Sequence, residues 1–148
     1  DVLLLLPDLA VVVDDDAANR ELIQRRLAKL GYQVTVCSDG HAAWHALETA
    51  EFDLVLLDLL MPGIGGQELL ARIKADERRR HLPVIMMSAL DRLEGIVRCI
   101  ELGAEDYLAK PFNPVLLRAR VGAALEKKHL RDVEQVYLKQ IEAERSKS

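Results

Sequence analysis

Only two of the 148 residues are cysteine, Cys37 and Cys99, which excludes a fold held by a disulfide framework. Far apart and in apolar settings, they leave a single disulfide open but fit better as reduced core thiols of an intracellular protein. Excess positive charge is also missing. The 24 acidic residues face 20 basic ones, a net charge of −4, so nothing here binds nucleic acid through overall charge. The obvious local block, Arg78-Arg79-Arg80, is short enough to read as a solvated helix end rather than a patch. No run approaches the ~18 apolar residues of a membrane span. Val2–Leu6 is apolar but has no basic lead and no small-residue cleavage site, so it does not read as a leader peptide. The chain begins without Met, which reads as a cut or processed end. Residues 1–8 are expected to be a linker or an extra edge segment.

Half the residues are apolar and 30% are charged, the balance of a soluble globular protein, and disorder over the whole length is excluded. The length suits one ordinary domain with one extra element. Apolar runs of strand length alternate with amphipathic stretches of helix length. Leu9–Val13 is a continuous apolar run, as a strand buried on both faces requires. Ala18–Leu30 carries Leu22, Ile23, Leu27 and Leu30 at helical spacing, with Gly31 where a C-terminal cap belongs. Gln33–Cys37 alternates and suits a sheet edge. Asp39 can cap a helix through about Ala50 that buries Ala43, Trp44 and Leu47. Asp53–Leu57 is a buried strand leading to Asp58. Met61-Pro62-Gly63-Ile64-Gly65-Gly66 must be a loop. A helix over Gln67–Ala75, a strand over Pro83–Met87, a helix over Asp91–Leu102 ended by Gly103, and a strand over Asp106–Ala109 follow. Asn113-Pro114 then opens a long terminal helix. Five such βα units predict an α/β fold with a parallel sheet covered on both faces.

That fold class hosts many chemistries, and in open parallel sheets ligands sit outside the carboxyl ends of the strands. Those ends carry Asp14, Asp15 and Asp16 after the first strand and Asp58 after the third. Ser88 follows the fourth strand and Lys110-Pro111 the fifth. Carboxylates converging in one cleft repel each other unless a divalent cation sits among them. An all-oxygen donor set with room for water suits Mg²⁺ rather than zinc. With an ammonium and a hydroxyl nearby, such a set has what a phosphoryl group with three charged oxygens needs. An aspartate inside it is a plausible nucleophile that would form an acyl phosphate. Each piece alone is weak, since a lone Asp at a strand end is usually a turn or helix cap. The signal is four kinds of residue at four strand ends in order.

Four segments then resemble the receiver domains of two-component response regulators. They are Val11-Val12-Val13-Asp14-Asp15-Asp16, Leu56-Leu57-Asp58-Leu59-Leu60-Met61-Pro62-Gly63, Met87-Ser88-Ala89 and Gly103-Ala104-Glu105-Asp106-Tyr107-Leu108-Ala109-Lys110-Pro111-Phe112. The resemblance covers residues 9–126. It implies a flavodoxin-like, doubly wound five-stranded parallel sheet of order 2-1-3-4-5 with five helices, the last one extended. It implies that Asp58 accepts a phosphoryl group from a histidine kinase or histidine phosphotransfer protein. Asp14, Asp15, Asp58 and the backbone carbonyl of Leu60 would hold Mg²⁺. Asp16 matches a position that is often acidic but is not a usual ligand. Ser88 and Lys110 would each bind a phosphate oxygen, Lys110-Pro111 would be a cis peptide, and Tyr107 would change rotamer when Ser88 moves. The protein would be a cytoplasmic signalling switch, not an enzyme beyond its own phosphorylation and dephosphorylation. Leu60 and Leu90, two residues after Asp58 and Ser88, stand where family members vary and tune dephosphorylation. Apolar side chains there cannot position an attacking water, so a long-lived aspartyl phosphate is expected.

Other residues read more plainly. His41 and His45 lie four apart on one helix without a third ligand, a surface face rather than a metal site. His81 and His129 stand alone, and Trp44 fits an apolar helix face. Residues 127–148 are highly charged, with Leu130, Val133, Val136, Tyr137 and Ile141 forming a narrow apolar stripe near period 3.5. A two-helix seam fits this stripe better than a helix folded back on its own domain. The extension resembles the signalling helices that join receivers to output modules, including nucleotide cyclases. A homodimer through the last helix and an output module outside residues 1–148 are therefore expected, with no membrane and no direct nucleic-acid contact. The alternative is a haloacid-dehalogenase-like phosphatase with Asp14 as nucleophile and Asp16 as acid/base. It would need an acidic pair at a further strand end, and would leave Asp58 idle. A receiver-shaped module that is never phosphorylated is the third reading, and the full acidic set argues against it.

Overall fold

Val11, Val12 and Val13 are wholly buried. Consecutive residues of a strand point to opposite faces, so a strand with no exposed side must be covered twice. In the computed structural model, which describes residues 7–147 apart from the side chain of Leu90, Leu9–Val13 is strand β1 at the second position of a five-stranded parallel sheet. The segment Val2–Leu6 lies outside the described residues. β2 (Gln33–Cys37) forms one edge, and β3 (Leu54–Asp58), β4 (Val84–Ala89) and β5 (Asp106–Lys110) continue on the other side of β1, giving the order 2-1-3-4-5. The alternation read in β2 is that of an edge strand, with most of its residues exposed or half-buried.

Helices α1 (Ala17–Lys29), α2 (Gly40–Thr49), α3 (Gly66–Ala75), α4 (Leu93–Leu102) and α5 (Pro114–Lys147) divide between the two faces. Ala10, Val12, Leu54 and Leu56 pack with Ile23 and Leu27 of α1 and with Leu117, Val121 and Leu125 of α5. Val11, Val13, Val55 and Leu57 pack with Ala43 and Leu47 of α2, Leu69 and Ile73 of α3, and Ile96 and Cys99 of α4. Both cysteines are buried and unbridged, as core thiols.

The helix starts are chemical. Asp16 accepts from the amides of Ala18 and Asn19, Asp39 from that of Ala42, and Asn113 from those of Val115 and Leu116. These are the orphan donors of a first turn. Gly103 ends α4 at φ +111°, where any Cβ would be strained.

Three expectations need correction. Trp44 is only half-buried, because Arg79 stacks over its ring at 5.5 Å. Arg79 itself is no solvated helix end: it donates to the Leu47 carbonyl and pairs with Asp76 at 2.6 Å, tying the α3–β4 loop to α2. His129 does not stand alone but pairs with Asp8 at 3.0 Å. Element ends also shift slightly. β3, β4 and β5 run on to include Asp58, Ser88 and Lys110, and a 3₁₀ turn over Leu90–Arg92 precedes α4.

Candidate functional site

Parallel register brings the polar strand ends to one level. Val13 pairs with Leu57, Asp58 with Met87, Ser88 with Ala109 and Ala89 with Lys110. Asp14, Asp58, Ser88 and Lys110 therefore meet at the carboxyl edge, on both sides of the point where chain order reverses around β1. The β1–α1 turn is fixed from within: the Asp14 carboxylate accepts from the Asp16 amide at 2.9 Å, and Arg20 of α1 donates to the Asp14 carbonyl at 2.7 Å. The loop after β3 is held close by Gly66, since a Cβ there would lie 2.2 Å from the Asp58 carbonyl oxygen.

Asp14 is wholly buried, Asp58 is 5% exposed, and Asp15 is open to solvent. One carboxylate oxygen from each of the three lies within 4.8 Å of the others. The Lys110 ammonium sits 2.9 Å from Asp14 Oδ2 and 3.1 Å from Asp58 Oδ1. Asp14 Oδ2 faces that ammonium as an ion pair but has no well-directed hydrogen bond, although it is shut off from water. Three carboxylates against one ammonium leave net negative charge in a poorly hydrated corner. The donor set is therefore incomplete without a further cation, and its all-oxygen chemistry suits a hard one.

The electrostatics show the same excess. Burial, with the Asp14 charge beside it, pushes the Asp58 carboxyl up to about 6 despite the opposing pull of Lys110. Burial alone would lower the Lys110 ammonium, but the Asp14 and Asp58 carboxylates beside it outweigh this and raise it. Lys110 is thus held charged.

The other named residues fall into place around this core. Ser88 is buried, with its hydroxyl donating to the Ala89 carbonyl rather than to a carboxylate. Leu60 is 53% exposed on the loop that follows Asp58. Lys110-Pro111 is cis. Tyr107 lies half-buried on β5, packed against the core on the α4 side. Asp16 is outside the cluster, its carboxylate occupied as the α1 cap. His41 and His45 are exposed. Sequence reading missed two arginines. Arg20 could have been found as a cation one turn into the helix that follows an acidic strand end. Arg120, whose guanidinium lies 5.3 Å from the Tyr107 ring centre, has no local signal.

The family model of the response regulator receiver domain matches residues 10–122. The chain belongs to this family. Curated relatives of the receiver include the phosphate regulon transcriptional regulatory protein PhoB of Pseudomonas aeruginosa, 37% identical over 79% of this chain and 51% of that protein. Response regulator PleD of Caulobacter vibrioides is 38% identical over 75% of this chain and 24% of its own length. Among solved structures, the receiver domain of NtrX from Brucella abortus is 33% identical with a TM-score of 0.75, covering 79% of this chain and 98% of that one. The receiver spans about half the length of curated relatives such as PhoB. The phosphatase alternative gains no support from these matches, and the acid/base it would need, Asp16, is engaged in capping α1. Among the described residues no helix is long and apolar enough to cross a membrane.

Proposed function

We propose that Asp58 of this receiver accepts a phosphoryl group from a histidine kinase or histidine phosphotransfer protein, and that the modified site switches an output module outside these residues. The observation that carries this is the placement of the Asp58 carboxylate, buried, 3.1 Å from a charged lysine and inside a three-carboxylate cluster. The pentavalent transfer forms a bond from an Asp58 carboxylate oxygen to phosphorus as the bond from phosphorus to the donor imidazole nitrogen breaks, and the imidazole leaves. Lys110 meets one oxygen of the transferred group. The Ser88 hydroxyl leaves the Ala89 carbonyl to donate to another. Asp14, Asp15, Asp58 and the Leu60 carbonyl would hold Mg²⁺. When bound, that ion neutralises charge on the phosphoryl oxygens.

Tyr107 would follow Ser88, changing the surface formed by β5 and the neighbouring helices and so shifting a dimer or output equilibrium. The extension of α5 supports a homodimer. Past Leu125 no described residue of this helix is buried. Four contacts hold its first turns to the body: Lys127–Glu105 at 3.3 Å, Lys128–Asp53 and His129–Asp8 at 3.0 Å, and Arg131 to the His81 carbonyl at 2.7 Å. Beyond these, none of residues 133–147 is buried, so burial of an apolar face against the body does not support this part of the helix. Leu130, Val133 and Tyr137 are each more than 60% exposed. With Ile141 they follow a 3-4-4 spacing, which lines one side of a nearly straight helix and suits a seam with a second copy. Relatives such as PhoB are about twice as long as the matched receiver, which supports an output module outside these residues; a nucleotide cyclase is one such module, and the switch would work in the cytoplasm.

The test is incubation with Mg²⁺ and acetyl phosphate. One labile phosphoryl per chain is expected, absent in Asp58→Asn and strongly reduced in Asp14→Asn. Turnover that depends on Asp14 and survives Asp58→Asn would overturn the reading.

A further inference from the structure

Arg120 makes three contacts with one short stretch of β5. Its guanidinium lies over the Tyr107 ring, 5.3 Å from the centre. It also donates to the Tyr107 carbonyl, and it sits 3.8 Å from the Asp106 carboxylate. β5 is the last strand of the sheet, so one side of its backbone is without a neighbouring strand. The Tyr107 amide on that side is already capped by Asp106 Oδ1 at 2.8 Å, and Arg120 takes the carbonyl beside it. An open edge is closed by side chains. The geometry has a second effect. Arg120 belongs to α5, which packs on the opposite face from α4, while the Tyr107 ring packs against the core on the α4 side. Arg120 thus reaches round the edge and joins the two faces at the aromatic residue.

We propose that Arg120 is a positioning residue that holds Tyr107 in its resting rotamer and links that rotamer to α5. This rests on the reading of Ser88 and Tyr107 as the moving pair. A ring that follows Ser88 inward must leave the guanidinium, because one cation cannot remain over a face that has turned into the core. Arg120 is then left with the carbonyl and Asp106, and the helix that carries it loses one of its contacts with β5. The contact favours the unmodified state by the factor of an exposed cation–π pair, about two- to fivefold. By linkage its loss favours the modified state equally.

The experiment uses the whole chain labelled with 3-fluorotyrosine, in which Tyr32, Tyr107 and Tyr137 report and Tyr107→Phe assigns the signal. Beryllium fluoride with Mg²⁺ is titrated into the parent, Arg120→Ala and Arg120→Lys. In the parent, the Tyr107 signal should move on binding. In Arg120→Ala it should lie part-way to the bound position before any ligand is added, with affinity tighter by about two- to fivefold; Arg120→Lys should fall between. In a Tyr107→Ala background the same substitution should leave affinity unchanged. Arg120→Gln, uncharged but a good helix former, serves where Arg120→Ala does not fold. A Tyr107 signal and affinity in Arg120→Ala equal to the parent's would overturn the proposal, as would a gain in affinity that persists without Tyr107. A Tyr107 signal in the parent that ignores beryllium fluoride would instead bring down the switch reading on which the proposal stands.

Discussion

Asp58 carries a conflict between function and stability. In the proposed transfer its carboxylate must be charged to act as a nucleophile, yet burial and the Asp14 charge raise its pKa to about 6. Without Mg²⁺ the folded state binds the proton more tightly than the unfolded chain does. Stability should therefore fall as pH rises from about 4 to about 6, the interval between the two pKa values. Asp58→Asn should remove this slope and stabilise the metal-free protein at pH 7 by on the order of 2 kcal/mol, read by urea unfolding at several pH values. Equal stability of the two proteins at pH 7 would show that the carboxylate is not strained. A second prediction concerns Leu60, half-exposed beside the site. It cannot hydrogen-bond an attacking water, so the aspartyl phosphate should be long-lived and Leu60→Asn should shorten its lifetime by up to about a hundredfold, the lower end of what a positioned acid/base group contributes. A phosphoryl label lost rapidly and at the same rate in both proteins would count against this. Asp14, Asp15, Ser88 and Lys110 could be read beforehand, because strand ends bound the runs that precede them, whereas Tyr107, inside β5, was named only through the family resemblance. Asp16 was set apart from the ligands by the resemblance, but its capping role shows only in its side chain on the Ala18 and Asn19 amides.

Helices and strands were legible through periodicity, and their ends less so. β3, β4 and β5 each run on into a polar residue that hydrophobic patterning assigns to a loop, because backbone pairing in a parallel ladder takes no account of side-chain polarity. Trp44 illustrates the limit at the apolar end. Helical spacing placed it in the core, but the stack with Arg79 lets it stay half-exposed, and that partner lies 35 residues on. Gly66 is the sharpest case at this scale. A Cβ there would meet the Asp58 carbonyl oxygen at 2.2 Å and Leu59 Cα at 2.8 Å. Both are backbone atoms and cannot rotate away. Gly66→Ala should therefore push α3 off the end of β3, costing about 1–3 kcal/mol and slowing phosphorylation together with it. Thermal melts and acetyl phosphate labelling would check this. A fully stable, fully active variant would mean that the α3 start moves freely.

At the scale of the molecule, the domain body and its long helix have different supports. The body has two apolar cores on either side of the sheet, whereas past Leu125 the helix is held by ion pairs and one hydrogen bond to the edge opposite the Asp58 site. Deleting residues 133–148 keeps those contacts. It should leave the unfolding free energy within about 0.5 kcal/mol and phosphorylation unchanged, while light scattering shows loss of the dimer. A dimer that survives would place the seam on the domain body. The α/β class, the strand content, the acidic set and the stripe on the last helix all followed from local order, because burial on both faces, capping and amphipathic spacing are properties of neighbours along a chain. Which carboxylates share a corner with Lys110, that Arg79 is a pin rather than a surface charge, and that Arg120 covers Tyr107 were decided by folding. Those contacts join residues brought together by register and helix packing, and the charge on Asp58 depends on a burial that no stretch of sequence possesses alone.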